Sequence, residues 1–179
     1  MAIAKNILIK RHVELITERA VERFLERLFI RNAPLRCLYI VSPFIAAMQE
    51  NRFSLADLRT KIEYSQIPTY LITRTPVEDY HSTAMEVLLN SPWIEIRYNQ
   101  FIHAKVYIAI AKKESESFAL FGSGNLTGRA RAANIEVAML VSSEGPGKEI
   151  LRQLEYWVSV SLRTLKASKL IQPIKVRGN

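Results

Sequence analysis

The sequence has little of what secreted scaffolds and membrane proteins require. It contains one cysteine, Cys37, so an internal disulfide is impossible and a secreted disulfide scaffold is excluded. Residues 1–10 lack the apolar stretch of a signal peptide, and no apolar run approaches the roughly 18 residues of a membrane span. We therefore predict a soluble, cytoplasmic protein in which Cys37 is a small buried hydrophobe.

Acidic residues are also few relative to basic ones. The chain has 17 Asp and Glu against 25 Lys and Arg, a net charge of +8 and a pI near 9.7. This excess favours a polyanionic partner, either nucleic acid or an anionic membrane surface. A solvated basic surface without a partner would give the same balance. The sequence has no apolar anchor and no strongly basic amphipathic helix, which favours nucleic acid over a membrane.

The length of 179 residues is enough for one hydrophobic core and short for two domains. The apolar fraction of 49% is ordinary for a globular protein. We predict that residues 1–179 form a single domain, which ends in a basic tail over about 173–179.

Helical and strand patterns alternate along the first half of the chain. Apolar residues at helical spacing predict helices over 13–29, 55–64, 77–89 and 148–166, the second capped by Ser54. Short apolar and β-branched runs predict strands over 36–41, 67–73, 93–98, 103–111, 117–123 and 134–141. Because the strands cluster later in the chain, we predict an α/β fold, a mixed β-sheet flanked by helices on both faces.

Four polar residues stand at the ends of two neighbouring predicted strands. His103 and Lys105 are two residues apart and face one side of the sheet, and so do Ser123 and Asn125. If the two strands form a hairpin about Glu114, Lys105 pairs with Ser123 and His103 with Asn125. All four side chains would then project from one face. A slip of one residue would break this pairing.

This set of side chains suits an attack on phosphorus. The imidazole of His103 can act as the nucleophile and form a phosphohistidine. Lys105 supplies a fixed positive charge for the phosphoryl oxygens, and Asn125 and Ser123 can donate hydrogen bonds to them. Glu136 lies in an apolar run, where a carboxylate needs a partner, and it is placed to orient the histidine.

Further residues near this set are candidates for binding a substrate. Glycines let the backbone come close to a phosphate, and Arg74 follows the second predicted strand, where α/β sheets bind ligands. Two arginines follow the motif closely, although a solvated turn explains them equally well. The substrate-binding candidates are Gly122, Gly124, Thr127, Arg74, Arg129 and Arg131. His12 and His81 have polar neighbours and are predicted as surface residues.

The ordered set resembles the phospholipase D superfamily. The matching segments are His103-x-Lys105, Gly122-Ser123-Gly124-Asn125 and Asn134-x-Glu136-Val137. Ser42-Pro43-Phe44 also resembles the opening segment of that family. Each motif is weak by itself, and the set in this order is specific. A short chain with one copy of the motif is similar to the Nuc-type bacterial endonucleases and related restriction enzymes.

The resemblance implies a phosphodiesterase that needs no divalent metal and no cofactor. Members of the family bring two His-Lys-Asn sets into one active site, where one histidine attacks phosphorus and the other protonates the leaving oxygen. Since this chain has one set, the resemblance implies a homodimer with both His103 side chains at the twofold interface, or a heterodimer with a similar subunit. Nucleic acid is the favoured substrate. The alternatives are a phospholipid-cleaving enzyme and a non-catalytic nucleic-acid-binding module.

The sequence departs from the family at one position. An aspartate commonly follows the lysine by five residues, and Ile110 stands there in this chain. The departure puts fine positioning in doubt and is the direct support for a module that binds without catalysis. Short chains of this kind also occur in prokaryotic defence or repair systems with a helicase or ATPase partner. This sequence has no nucleotide-binding motif, so such a motor would be a separate protein.

Overall fold

The computed structural model describes residues 12–49, 51–127 and 136–175, which form a sheet of eight strands and four α-helices. The strands are β1 Val13–Ile16, β2 Leu35–Val41, β3 Thr69–Thr73, β4 Ile94–Tyr98, β5 Lys105–Ala111, β6 Phe118–Gly122, β7 Ala138–Ser142 and β8 Lys169–Gln172. The helices are α1 Ala20–Ile30, α2 Leu55–Tyr64, α3 Asp79–Leu88 and α4 Pro146–Tyr156, and α4 continues as a π-helix over Trp157–Leu162. No helix of the described ranges combines the length and the apolarity needed to cross a bilayer.

The sheet is mixed, with the strand order β1-β7-β6-β5-β2-β3-β4-β8. Strands β2, β3 and β4 are parallel, whereas β5 is antiparallel to β2, β6 to β5 and β7 to β6. The ends of β2, β3 and β6 and the beginnings of β5 and β7 therefore lie along one edge of the sheet. We call this the carboxyl edge, and its strand-terminal residues are Val41, Thr73, Lys105, Gly122 and Ala138.

Helices cover both faces of the sheet, which confirms the predicted fold class. Helices α1, α2 and α3 bury one apolar stripe each on the first face, with Phe24, Leu58 and Met85 in that core. The opposite core contains Leu151 of α4 and Val158 of the π-helix. Side chains of β5 alternate between the two cores, as the pleat of a strand requires.

Local signals explain why α2 begins where the sequence predicts. The hydroxyl of Ser54 accepts a hydrogen bond from the amide of Asp57, and the Asp57 carboxylate accepts one from the amide of Ser54. This reciprocal capping box satisfies two amides at the start of the helix, which have no partner within it. The predicted range 55–64 is confirmed.

The helix predicted over 13–29 is wrong at its beginning. Val13–Ile16 forms the edge strand β1, in which Val13 pairs with Val141 of β7. Arg19 adopts a left-handed conformation with φ 51°, and α1 begins after it. Four residues are too few to show strand alternation, and Leu15 and Ile16 fit the apolar spacing of the following helix.

The end of the chain holds a strand that the sequence patterns missed. Strand β8 pairs antiparallel with β4, and its exposed Leu170 and Ile171 are consecutive, so no alternation marks the strand. The buried Gln172 donates from its amide to the carbonyl oxygens of Ser91 and Ile94, which fixes β8 against the sheet. In the predicted basic tail, the Lys175 amide donates to Pro92, and residues 176–179 lie outside the described ranges.

The β5–β6 hairpin differs by one residue from the predicted register. Lys105 pairs with Gly122, and Tyr107 pairs with Leu120. The cause lies in the loop, where a short 3-10 turn over Glu114–Glu116 precedes Ser117. The hydroxyl of Ser117 accepts the amide hydrogen of Ala111 at 2.9 Å, so a side chain takes the place of a backbone partner at the last rung.

Candidate active site

The carboxyl edge collects most of the predicted site residues. His103 and Lys105 lie at the beginning of β5, Ser123 follows β6, and Glu136 precedes β7. Arg74 comes directly after β3, as expected for a ligand-binding position at this edge. Arg129 and Arg131 lie outside the described residues. The fold therefore brings residues from distant parts of the sequence to one side of the molecule.

His103 and Lys105 are in contact with each other. The Lys105 Nζ donates to the carbonyl oxygen of His103 at 2.9 Å and lies 3.5 Å from its Nε2. Because an ammonium group can only donate, this contact favours the tautomer in which Nε2 is unprotonated and Nδ1 carries the hydrogen. The His103 side chain is exposed. Substrate can therefore reach the imidazole ring, and Nε2 becomes available to an electrophile once the long 3.5 Å contact with Lys105 gives way.

A second cation lies close to Lys105. Partial burial and the positive charge of Arg74 both lower the pKa of the Lys105 ammonium. Arg74 donates from Nε to the carbonyl oxygen of Ile102 at 2.8 Å, and its guanidinium carbon lies 5.4 Å from the ring centre of Phe44. None of the ion pairs within the described ranges involves Lys105 or Arg74. This part of the edge is suited to an anion.

Ser123 does not lie opposite Lys105, because the register places Gly122 there. The Ser123 hydroxyl instead accepts the amide hydrogen of Val137 at 2.9 Å and lies 3.3 Å from the Val137 carbonyl oxygen. The Ser123 amide also donates to that carbonyl. In this chain, Ser123 extends the β6–β7 pairing by one residue beyond Gly122.

The loop that carries Asn125 is fixed by two buried side chains from other strands. The Ser42 hydroxyl donates to the carbonyl oxygen of Phe44 at 2.7 Å and accepts the amide hydrogen of Leu126 at 3.0 Å. The Tyr107 hydroxyl donates to the carbonyl oxygen of Gly124 at 2.8 Å. The backbone is therefore held on both sides of Asn125, which gives that residue a defined position.

Sequence reasoning did not assign a role to Ser42 or Tyr107, although each had a signal. Ser42 lies in the segment Ser42-Pro43-Phe44, which resembles the family opening. Tyr107 is two residues beyond Lys105 on the same face of β5, and it is fully buried. Both are positioning residues, because they are buried and contact the backbone of the loop that carries Asn125, whereas His103 is exposed.

Asn125 has one polar atom without a partner. Its Oδ1 is buried and accepts no hydrogen bond from the residues that the structure describes. The backbone carbonyl of Asn125 accepts the amide hydrogen of the half-buried Thr127 at 2.8 Å. A buried amide oxygen without a partner is unusual in a folded protein and calls for a specific explanation, of which a catalytic role is one.

At Gly122 and Gly124, the space that a Cβ atom would need is already occupied by other protein atoms. A Cβ on Gly122 would overlap the carbonyl oxygen of Val137 and lie 2.5 Å from the Cα of Ala138. A Cβ on Gly124 would lie 2.8 Å from Oε2 of Glu136. These glycines make room for β7 and for a carboxylate, so close packing gives a reason for them besides the predicted approach of a phosphate.

Glu136 is half-buried, and burial raises the pKa of its carboxyl group. Within the described ranges, no hydrogen bond or ion pair joins Glu136 to His103. The predicted orientation of the histidine by Glu136 is therefore absent within one chain. The carboxylate packs instead against the Gly124 backbone, in the loop before Asn125.

His81 was predicted as a surface residue, and the structure corrects this. Its exposed fraction is 1%, and its Nε2 lies 3.1 Å from the Thr73 hydroxyl. Burial lowers the pKa of the imidazole. His81 lies on the inward face of α3, where its polar sequence neighbours point elsewhere. It supports Phe44, whose ring meets it edge-on at 6.2 Å between centres.

Ile110, at the position of the family aspartate, does not reach the site. It is buried in the core beneath α4, with an exposed fraction of 3%. Five residues separate it from Lys105, so the two side chains point to opposite faces of β5. The departure from the family pattern therefore lies in the far core, away from the carboxyl edge. No cluster of three or more metal-ligating side chains occurs in the described parts of the chain.

Comparison with known proteins supports the fold. No protein-family model and no curated protein matches the sequence. Among solved structures, the chain is similar to Nuc from Salmonella typhimurium, a phospholipase D family member, with 16% identity, a TM-score of 0.58, and coverage of 90% of this chain and 99% of that one. The chain is also similar to NucT from Helicobacter pylori, with 15% identity and a TM-score of 0.56. That match covers 89% of this chain and 98% of NucT.

A larger enzyme contains a similar unit. Polyphosphate kinase from Porphyromonas gingivalis matches with 15% identity and a TM-score of 0.56, over 84% of this chain and 26% of that one. The fold predicted from the motif resemblance is confirmed by these similarities.

Proposed function

We propose that this chain, which has the phospholipase D fold, cleaves phosphodiester bonds of nucleic acid through a covalent phosphohistidine at His103. The observation that carries the proposal is the contact between His103 Nε2 and the Lys105 ammonium at an exposed edge. The nucleophile and the cation that would stabilise its target stand side by side, next to a loop fixed to present Asn125.

The reaction proceeds in two displacements on phosphorus. The lone pair of His103 Nε2 forms a bond to phosphorus while the bond to the leaving oxygen breaks, and a second, protonated imidazole transfers its proton to that oxygen. Water then attacks the phosphohistidine and gives a proton to the second imidazole, which releases His103. Lys105 and the Asn125 amide stabilise charge on the phosphoryl oxygens in both steps.

Several observations favour nucleic acid as the substrate. The net charge of +8 attracts a polyanion, and the two cations at the site have no carboxylate partner within the described ranges. The similarity to Nuc from Salmonella typhimurium, a phospholipase D family member, over 90% of this chain supports phosphodiester chemistry on either substrate. A phospholipid substrate has no comparable support. The location of Ile110 in the far core removes the main sequence argument for a module that only binds.

The test is cleavage of labelled single- and double-stranded DNA and RNA in the presence of EDTA. We expect the purified wild type to cleave at least one of the four substrates, at the same rate with EDTA as with magnesium. Cleavage that vanishes in EDTA and returns with magnesium would contradict the metal-independent mechanism. Release of lipid headgroups without nucleic-acid cleavage would establish the phospholipid alternative. DNA binding without turnover of any phosphodiester would establish the non-catalytic alternative.

The second imidazole belongs, in this proposal, to His103 of a second copy of the chain. A chain with one motif needs a partner to complete the site. Three of the large apolar side chains with high exposed fractions are close in sequence to site residues: Phe101 at 74%, Val77 at 85% and Val137 at 52%. Phe101 is two residues from His103, and Val137 directly follows Glu136. Exposed apolar groups beside a polar site support a self-complementary interface at this edge.

Replacing Phe101 with glutamate is therefore expected to weaken dimerisation and cleavage together. The twofold axis would bring two such carboxylates into one interface, so we expect activity at dilute protein to fall by at least about 10-fold. Activity should recover as the protein concentration rises, and light scattering should show monomer at the low concentrations. Tyr64→Glu is the matched control, because Tyr64 is 89% exposed at the end of α2, away from the carboxyl edge. A fully active monomeric Phe101→Glu protein would overturn the dimer proposal.

A further inference from the structure

We infer that Arg74 binds a second phosphate, adjacent to the one attacked by His103, and thereby selects a polynucleotide over diesters that carry a single phosphate. The inference rests on the proposed function and specifies its substrate. It assigns separate phosphates to Lys105 and Arg74.

Arg74 is held in place while part of its guanidinium group remains available. Its Nε donates to the carbonyl oxygen of Ile102 at 2.8 Å, and its guanidinium carbon lies over the Phe44 ring, 5.4 Å from the ring centre. The two terminal nitrogens make no hydrogen bond to the residues described by the structure. Their geometry matches the paired oxygens of a phosphate, which arginine binds with two parallel hydrogen bonds.

The support beneath Arg74 is rigid. The Phe44 ring meets the buried imidazole of His81, and His81 in turn contacts the hydroxyl of Thr73. Thr73 is fully buried, and its hydroxyl donates to the carbonyl oxygen of Pro43 at 3.3 Å. Each contact in this chain of side chains restricts the next one, so the guanidinium loses little conformational freedom when it binds an anion.

The positive charges of Lys105 and Arg74 both favour an anion at this edge, although the two residues are assigned to different phosphates. Arg74 is close enough for its charge to lower the pKa of Lys105, and no ion pair within the described ranges relieves the repulsion between them. Two like charges held together destabilise the free protein and favour the binding of anions. The strand β2 separates β3 from β5, so their backbones are about 10 Å apart. Lys105 contacts the nucleophile directly, whereas Arg74 follows β3, two strands away, and reaches back through its Nε to the carbonyl oxygen of Ile102.

The catalytic test compares substrates that differ in the number of phosphates. We would measure kcat/KM for a dinucleotide, with one phosphate, and for a tetranucleotide, with three, using the sugar that the wild type accepts. The wild type should prefer the tetranucleotide by about 10- to 100-fold, as expected for charge-assisted hydrogen bonds to one phosphate. Arg74→Gln should reduce this ratio by about tenfold or more.

Arg36→Gln is the matched control, because it removes the same charge from the other end of the sheet. Arg36 lies near the beginning of β2, its side chain is 66% exposed, and it pairs with Glu155 on the surface. The preference ratio of this variant should equal that of the wild type. If Arg74→Gln slowed both substrates by the same factor, Arg74 would act on the attacked phosphate or on the fold, and the inference would be wrong.

A binding measurement separates this inference from the proposed function. In the His103→Ala background, which binds without cleaving, the affinity for a fluorescent single-stranded oligonucleotide is measured against salt concentration. Adding Arg74→Gln should reduce the slope of log K against log salt by about 0.7, the value for one phosphate contact, and Arg36→Gln should not. An unchanged slope would overturn the inference even if the wild type is a nuclease. A reduced slope with no cleavage by any wild-type preparation would support Arg74 and refute the proposed reaction.

Discussion

Replacing His103 with alanine is expected to reduce phosphodiester cleavage by at least about 10⁴-fold, because the substitution removes the nucleophile. In the proposed homodimer it removes the general acid as well, since both imidazoles come from the same position. Binding of nucleic acid should persist, because Lys105, Arg74 and the net positive charge remain. The measurement is single-turnover cleavage of labelled substrate, together with affinity from a gel shift.

His12→Ala is the matched control for the loss of an imidazole. His12 is half-exposed and lies 3.6 Å from Glu144, at the end of β7 opposite the carboxyl edge. We expect it to cleave at the wild-type rate.

Trapping of substrate by rapid acid-free denaturation should label the wild type covalently and leave His103→Ala unlabelled. If His103→Ala retained cleavage above about 1% of the wild-type rate, which is far more than loss of a nucleophile allows, the phosphohistidine mechanism would be refuted.

Replacing Gly122 with alanine is expected to destabilise the protein by about 3 kcal/mol or more, at the upper end of what an added methyl group costs in a packed core. The new Cβ would overlap the Val137 carbonyl oxygen and press on the Cα of Ala138. Both are backbone atoms, so rotation of a side chain cannot relieve the clash. The strand pair β6–β7 would have to separate where Gly122 faces Ala138.

Gly124→Ala gives the contrasting result that tests this explanation. Its new Cβ would meet the end of the Glu136 side chain, which can rotate away. We therefore expect a loss of stability below about 1 kcal/mol, with a larger effect on cleavage because Asn125 is the next residue. Urea denaturation at equal protein concentrations measures both variants, since dimerisation makes stability depend on concentration. Equal losses for the two variants would contradict the packing argument.

The sequence predicts those parts of the fold whose signals are local. The capping box of Ser54 and Asp57 determines the start of α2, and the apolar stripes of the helices determine which face they bury. Strand β1 was missed because it is too short for a pattern and gains its hydrogen bonds from β7, more than a hundred residues away. Strand β8 was missed for the same reason, since it also has four residues and three strands and a helix separate it from its partner β4.

The site is predictable to the extent that its chemistry lies in short motifs. His103 and Lys105 share a face by strand geometry alone, and the structure finds them in contact. The predicted opposition of Ser123 and Lys105 failed because the loop contains a 3-10 turn over Glu114–Glu116 and a side-chain hydrogen bond from the Ala111 amide to the Ser117 hydroxyl. A side-chain hydrogen bond of this kind shifts register by one residue and leaves no mark on the pattern of apolar residues.

Contacts between remote segments account for the remainder. Ser42 accepts the amide hydrogen of Leu126, and Phe44 packs under Arg74; both contacts exist only after the sheet has assembled. Nothing near Ser42 in the sequence indicates that its hydroxyl fixes a loop 84 residues later. The resemblance of Ser42-Pro43-Phe44 to the opening segment of the family marked Ser42 as a residue of interest, but it did not predict the contact with Leu126.

The strand order has a consequence for how firmly each half of the site is held. β5 and β2 are the two central strands, so Lys105 and Ser42 belong to the part of the sheet that opens last in local unfolding. Glu136 precedes β7, which is covered by the four-residue edge strand β1 alone. Fraying of β1 would loosen the surroundings of Glu136, whereas Lys105 and Ser42 would keep their positions. In the proposed reaction the nucleophile belongs to the firmly held half of the site, and the half beside Glu136 is the one that can adapt to substrates of different shape.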